Sequence, residues 1–321
     1  MPIRFESPSP GGRGDSYLDP KGWQVGVSYR RLFADEFFVG RDERPTAGPF
    51  GKPLEFDIHS FTLNTTYAIT ERLTASLHVP YSAGKATRGY ADGKQHATSA
   101  SGIGDISLVG SAWLWYPLDM PRGNISLGLG VKAPTGTNTA RGYTWSPNGD
   151  SVQVPVDQAI QLGDGGWGLI FQAEGFRKVR DRSFVYASGH YLASTREQTE
   201  VVSPRSAAQR LAVPDIYNVR AGVTSVIAPR YGVTLSLGMR QDATTRADLF
   251  GGRGMAFRRP AVVGYYDPGL SVTKGRNTFY ANAPIRAYQN FRVDYSYKPG
   301  DRVLGGDLAK YLIFTGFTHR F

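Results

Sequence analysis

Ser188 and His190 come nearest in this chain to a nucleophile beside a general base. Two residues apart on an extended strand, they share a face, as a proton relay would require. No Asp or Asn is spaced to orient the imidazole, so the third member of a hydrolytic triad is missing. His59, His78, His96 and His319 stand at no metal-ligand spacing, and Cys is absent. That excludes a zinc-cysteine site, a cysteine nucleophile and a covalently held haem. The glycine runs Gly163-Asp164-Gly165-Gly166 and Gly251-Gly252-Arg253-Gly254 are followed by no Gly-Lys-Ser/Thr, so they are not phosphate loops. Catalysis, metals and cofactors are therefore not expected.

A second group of residues could bind rather than react. Arg30, Asp105, Lys132, Glu174, His190, Arg220, Arg240, Arg286, Tyr288, Arg292 and Arg320 punctuate otherwise apolar stretches at even spacing from their polar neighbours. Arginine pairs both oxygens of a carboxylate, so such a set suits small organic anions once it is brought together. What brings it together is a matter of period. Leu73, Ala75, Leu77, Val79 and Tyr81 alternate with Thr74, Ser76, His78 and Ser82, and Ile125 to Ala133 and Tyr231 to Met239 repeat the pattern. Period two means strands, one face apolar and the other polar or glycine.

Twelve strands are expected, at 23–37, 54–69, 72–82, 103–116, 123–134, 159–177, 183–194, 214–227, 231–241, 260–273, 277–294 and 309–321. Short turns alternate with long polar segments at 38–53, 83–102, 135–158, 195–213, 242–259 and 295–308. That rhythm predicts an all-β chain, a single antiparallel up-and-down transmembrane β-barrel with short periplasmic turns and long extracellular loops. Residues 1–22 read as an N-terminal tail or periplasmic segment and 23–321 as the barrel. No run approaches about 18 apolar residues, so a helical span is excluded. With 40% hydrophobic and 12% aromatic content, disorder is excluded too. The formal charge of +10 is dispersed, so nucleic acid is not an expected partner.

If the apolar set faces lipid, the polar set encloses a lumen. Counting inward positions by parity, with Lys310 included, gives eight cations against Asp105 and Glu174. Twelve strands about 4.8 Å apart and tilted about 40° close at a radius near ~12 Å, a narrow passage. Glycines 26, 128, 130, 222, 232 and 238 are expected to leave room in it, and loop 136–158 to form any constriction. The opposing reading pairs the lumenal arginines with acids such as Asp35, Glu36 or Glu197, bracing the wall instead of lining a path.

Several stretches also resemble a known family. Gly102-Ile103-Gly104-Asp105-Ile106-Ser107-Leu108, Leu127 to Gly136, Asp267-Pro268-Gly269-Leu270, the hairpin through Thr278-Phe279 and the closing Tyr311-Leu312-Ile313 are similar to bacterial outer-membrane barrels of the phenol-degradation meta-pathway "transporter" family. The terminal Phe317-x-x-x-Phe321 resembles the assembly signal of outer-membrane barrels, with His319 in place of the commoner aromatic or aliphatic residue. The resemblance implies an outer-membrane channel for uptake of small organic solutes, and the surplus of lumenal cations adds the expectation of a passive pore for anionic or aromatic acids. It also implies contact with the barrel-assembly machinery through Phe321. No secretory leader is read at Met1, so either the protein stays inside or, as the barrel pattern favours, a mature chain is expected. Outer-membrane lipid and lipopolysaccharide are the expected surroundings, with loop 242–259 (Arg246, Arg253, Arg258, Arg259) the expected contact. The competing readings are a sheath housing a partner protein and, further off, a lipid-modifying enzyme.

Overall fold

In the computed structural model, residues 17–44, 54–203, 206–250, 256, 258–291 and 305–321 are described. Twelve antiparallel ring positions follow one another in chain order. They are β1 (Trp23–Val39), β2 (Glu55–Ala68), β3 (Leu73–Gly89), β4 in two pieces (Gln95–Ile103 and Ser107–Trp113), β5 (Gly123–Lys132) and β6 (Gly168–Arg180). Then come β7 (Ser183–Ser194), β8 (Ile216–Ala228), β9 (Val233–Thr244), β10 (Ala261–Lys274), β11 in two pieces (Asn277–Asn282 and Ile285–Phe291) and β12 (Gly305–Arg320). β12 pairs with β1 from Gln24↔Arg320 to Val39↔Gly305, and the sheet closes. Closure leaves no edge in the ring, the condition for a sheet to cross hydrocarbon.

The alternation in sequence becomes an inside and an outside. Leu127, Leu129 and Leu237 are 50%, 61% and 65% exposed, while Ser126, Asn218 and Ser236 are nearly inaccessible. Exposed aromatics sit at both ends of this apolar wall: Trp23, Tyr231 and Phe279 toward the turns, Phe61, Tyr81 and Tyr311 toward the loops. An apolar surface that wraps the whole ring and is edged by aromatic rings meets lipid, not water. Leu237→Arg is expected to cost about 2–4 kcal/mol of folding into a bilayer. Denaturant titration in phospholipid vesicles measures it, and an unchanged midpoint would mean that Leu237 does not meet lipid.

Several expected boundaries move, for local reasons. The segment 83–102 is not a loop, because β3 runs on to Gly89 and turns into the first piece of β4. β4 breaks at residues 104–106, where Gly104 N–H donates to Pro80 O and Thr135 Oγ1 caps Ile106 N–H. β6 starts at Gly168 rather than 159, since residues 156–164 turn into the barrel. β11 breaks at Ala283 and Pro284, because proline has no N–H for the ladder. The loops contain their own two-stranded hairpins, Arg141–Trp145 with Ser151–Pro155 and Gln198–Ser203 with Ser206–Ala212.

Candidate functional site

The lumen is the one place where the polar faces of all twelve ring positions converge. Its middle is a layer of ion pairs. Arg220 and Arg240 stand directly opposite each other on β8 and β9, an arrangement that repels unless each is neutralised. Arg220 donates to Asp267 Oδ2 at 2.7 Å through Nε, with Nη2 2.6 Å from the same oxygen. Arg240 Nε lies 2.9 and 3.0 Å from the two oxygens of Asp242. Asn218 and Asn282 donate to Asp242 and Asp267 in turn. The two guanidiniums also lie over rings, Arg240 4.8 Å from Phe314 and Arg220 5.8 Å from Tyr186.

The other expected lining residues distribute around this layer. Arg30 is buried and donates to Ser60 Oγ at 3.3 Å. Gln172 pairs across with His190, and Glu174 with Ser188, all on the inner face. Arg286 reaches Glu36 and the carbonyl of Ala309, beneath the ring of Phe38. Arg320 donates to Gln24 Oε1 at 3.0 Å, at the turn end. Arg292 lies outside the described residues.

Two inward assignments are corrected by bulges. Opposite Gly264 and Tyr265, β11 carries one extra residue, Ala287, so Tyr288 falls on the side of Gly264 and is 42% exposed outside the barrel. β12 bulges between Leu312 and Ala309, and Lys310 is exposed where those two are packed inside. A single added residue reverses every later side chain on a strand.

Parity counting also misses acids. Asp242 lies two residues beyond Arg240 and Asp267 two before Gly269, so the same alternation points to both. Glu36 lies within the expected strand 23–37, six residues from Arg30 and on the same inner face. Only Asp164 has no signal in the sequence, since it sits in a glycine run with no period. The cations Arg30, Lys132, Arg220, Arg240, Arg286 and Arg320 thus face Glu36, Asp105, Asp164, Glu174, Asp242 and Asp267. Among the described residues these six cations are matched by six acids, and the bracing acid anticipated for Arg286 is Glu36.

Space is taken up as well. The Tyr186 hydroxyl lies over Gly222 and Gly238, where an added Cβ would come within 2.8 and 2.5 Å of it. At Gly130 an added Cβ would lie 2.7 Å from Val109 Cγ2. Gly232 is not lumenal; it closes the β8–β9 turn at φ +67, a conformation glycine adopts without penalty.

Residues outside the ring strands pack against inward side chains at both ends of the lumen. At the loop end, segment 156–164 of the β5–β6 loop lies inside, with Val156, Ile160 and Leu162 buried to 2%, 3% and 7% exposure. Ile160 and Val156 pack on inward residues of five strands, among them Phe56, Ile58, Tyr265, Leu312 and Phe314. The constriction therefore comes from the expected loop but mostly from residues beyond Gln158. A buried Lys132 holds its base, donating to Asp105 Oδ2 at 2.8 Å, Asp164 Oδ1 at 2.7 Å and Gly166 O at 2.8 Å. At the turn end, Tyr17 meets Trp113 edge-on at 5.0 Å, beside Phe176 and Phe184, and donates to Met120 O.

The external hairpins lean on one another beyond the membrane. The ring of His96 stacks on Trp145 at 3.8 Å and 7°, and its Nε2 is 2.6 Å from Asp92 Oδ2. That hydrogen bond holds the Asp92 carboxyl below its ordinary range. A depressed folded pKa contributes stability above the unfolded value, near ~3.9, and loses it as pH falls through the folded one. Trp145 emission is therefore expected to change on acidification below about pH 4. In Asp92→Asn that acid-side step is expected to vanish; its persistence would assign it to another group. In the loop Thr245–Pro260, Arg258 is buried and paired with Asp248, and Arg253 lies outside the described residues.

No family model and no curated protein matches the chain. Among solved structures, an outer membrane channel from Pseudomonas putida F1 superimposes with a TM-score of 0.65 at 15% identity, covering 97% of this chain and 100% of that one. The translocator domain of the autotransporter NalP from Neisseria meningitidis gives 0.46 at 12% identity, over 94% and 90%. The P. putida toluene transporter TodX gives 0.44 at 9% identity, over 94% and 90%. The first of these shares the barrel fold, which is the fold the resemblance to phenol-degradation meta-pathway barrels implied.

Proposed function

We propose that the chain is an outer-membrane channel for passive uptake of small organic solutes, aromatic acids among them. The observation that carries this is the closed ring with an apolar exterior and a polar, arginine-bearing lumen. A solute with a ring and a carboxylate suits that lumen. Buried in the closed barrel, Arg220 and Arg240 can exchange an internal carboxylate for one on a solute only once the path opens, and Phe314 and Tyr186 then offer ring faces beside them. Because acids match the cations, the bias toward anions is mild and the path opens as segment 156–164 shifts. Ser188 and His190 face inward, away from any lipid substrate, and take no catalytic part in this function.

Planar-bilayer recording and vesicle swelling test this function. Benzoate and neutral aromatics are expected to enter faster than sugars of equal mass, with a reversal potential close to zero in a KCl gradient. Strong cation selectivity would reject aromatic acids as solutes. A barrel that passes nothing and purifies with a second chain would favour the sheath.

A further inference from the structure

We propose that one half of the rim at the turn end binds the phosphate headgroups of anionic glycerophospholipids in the adjacent leaflet. Three turns adjacent around the ring carry the charge: Arg177, Lys178, Arg180 and Arg182 at β6–β7, Arg230 at β8–β9, and Lys274 and Arg276 at β10–β11. Asp181 is the only acid among them, and it lies 3.8 Å from Lys178. The two turns on the other half are balanced, with Glu71 beside Arg72 and Asp119 beside Arg122. Most of the chain's +10 is thus gathered on one arc.

These cations do not brace the barrel. Arg72, on the balanced half, donates to the carbonyls of Trp113 and Leu114. Arg180, Arg182, Arg230, Lys274 and Arg276 are exposed, and their side chains make no hydrogen bond or ion pair among the described residues. Directly beside them the outer wall is greasy: Val179, Ile227, Tyr231 and Phe279 are 52%, 55%, 75% and 59% exposed. Cations bordering a lipid-facing wall and its aromatic edge stand at headgroup depth, where each is worth about fivefold in affinity for an anionic surface. A soluble acidic partner would have no use for that adjoining wall. The inference rests on the membrane-spanning part of the proposed function and not on conduction.

Native mass spectrometry of the full chain, released from vesicles of equal phosphatidylglycerol and phosphatidylcholine, tests it. Phosphatidylglycerol is expected to be retained several-fold over phosphatidylcholine. In Arg180→Gln/Arg182→Gln/Lys274→Gln/Arg276→Gln that several-fold preference is expected to vanish, leaving the equal ratio of the vesicle. Arg72→Gln/Arg122→Gln is expected to keep the wild-type ratio. Equal retention in the wild type, or a ratio untouched by the quadruple substitution, overturns the proposal. So does capture of polyglutamate without any preference between the lipids. Should the quadruple variant not fold, the wild type at high salt decides instead, since these charges are exposed: loss of its lipid preference supports the proposal and persistence overturns it. A barrel that conducts without lipid preference removes this inference alone; one that retains phosphatidylglycerol but passes no solute removes the channel instead.

Discussion

Asp267→Asn is expected to destabilise the barrel by about 3–5 kcal/mol, as removal of one partner from a buried ion pair does. Asp267 is 0% exposed and Arg220 3%, so no water replaces the lost carboxylate. Arg240 stands directly across from Arg220, and the loss would also leave two guanidiniums facing each other with only Asp242 between them and neutrality. The measurement is the urea midpoint of the folded barrel in detergent or vesicles. Arg220→Met/Asp267→Asn should recover much of the loss, because the double variant leaves no buried charge unpaired. A single variant as stable as the wild type would mean that water reaches the pair, and that the middle of the lumen is wetter than its packing implies.

Lys132→Met has a comparable effect on a different observable. It leaves Asp105 and Asp164, both buried, facing each other without a cation. It also removes the bond to Gly166 O that pins the end of the inward segment. A penalty of about 3–5 kcal/mol is expected. If half of it falls on the closed position of the β5–β6 loop, the ratio of open to closed loops rises by about tenfold or more. Single-channel recordings should show longer and more frequent open intervals, and protease should cut more readily near Pro147–Gly149. Ile160→Ala loosens the same segment from its apolar seat without touching charge, at about 2–5 kcal/mol. Agreement between the two variants would identify the loop as the barrier. If both leave conductance unchanged, the barrier lies at the turn end, where Tyr17 packs on Trp113.

The lumen's electrostatic character shows how far alternation carries and where it stops. Counting and strand register both put Arg220, Arg240, Glu174 and His190 on the inner face, because no bulge lies between them and the apolar residues that set the parity. Asp242 obeys the same rule and escapes only because the expected strand ends one residue early. Tyr288 and Lys310 break it, since a bulge adds one residue without any mark in composition. Length alone points to the inward loop, yet the part that enters is the stretch with Val156, Ile160 and Leu162, which reads as well as the start of a strand.

By itself the sequence determined the strand period, the alternation of tight turns with long loops, the closed barrel and which face meets lipid. Each of these is a local pattern repeated often enough that errors at single positions cancel. Tertiary structure alone decided that lumenal cations among the described residues meet acids and that segment 156–164 turns into the barrel. Whether Arg220 meets Asp267, or Lys132 meets Asp164, depends on strand register and loop path across tens of residues, and nothing in the neighbouring residues encodes that distance.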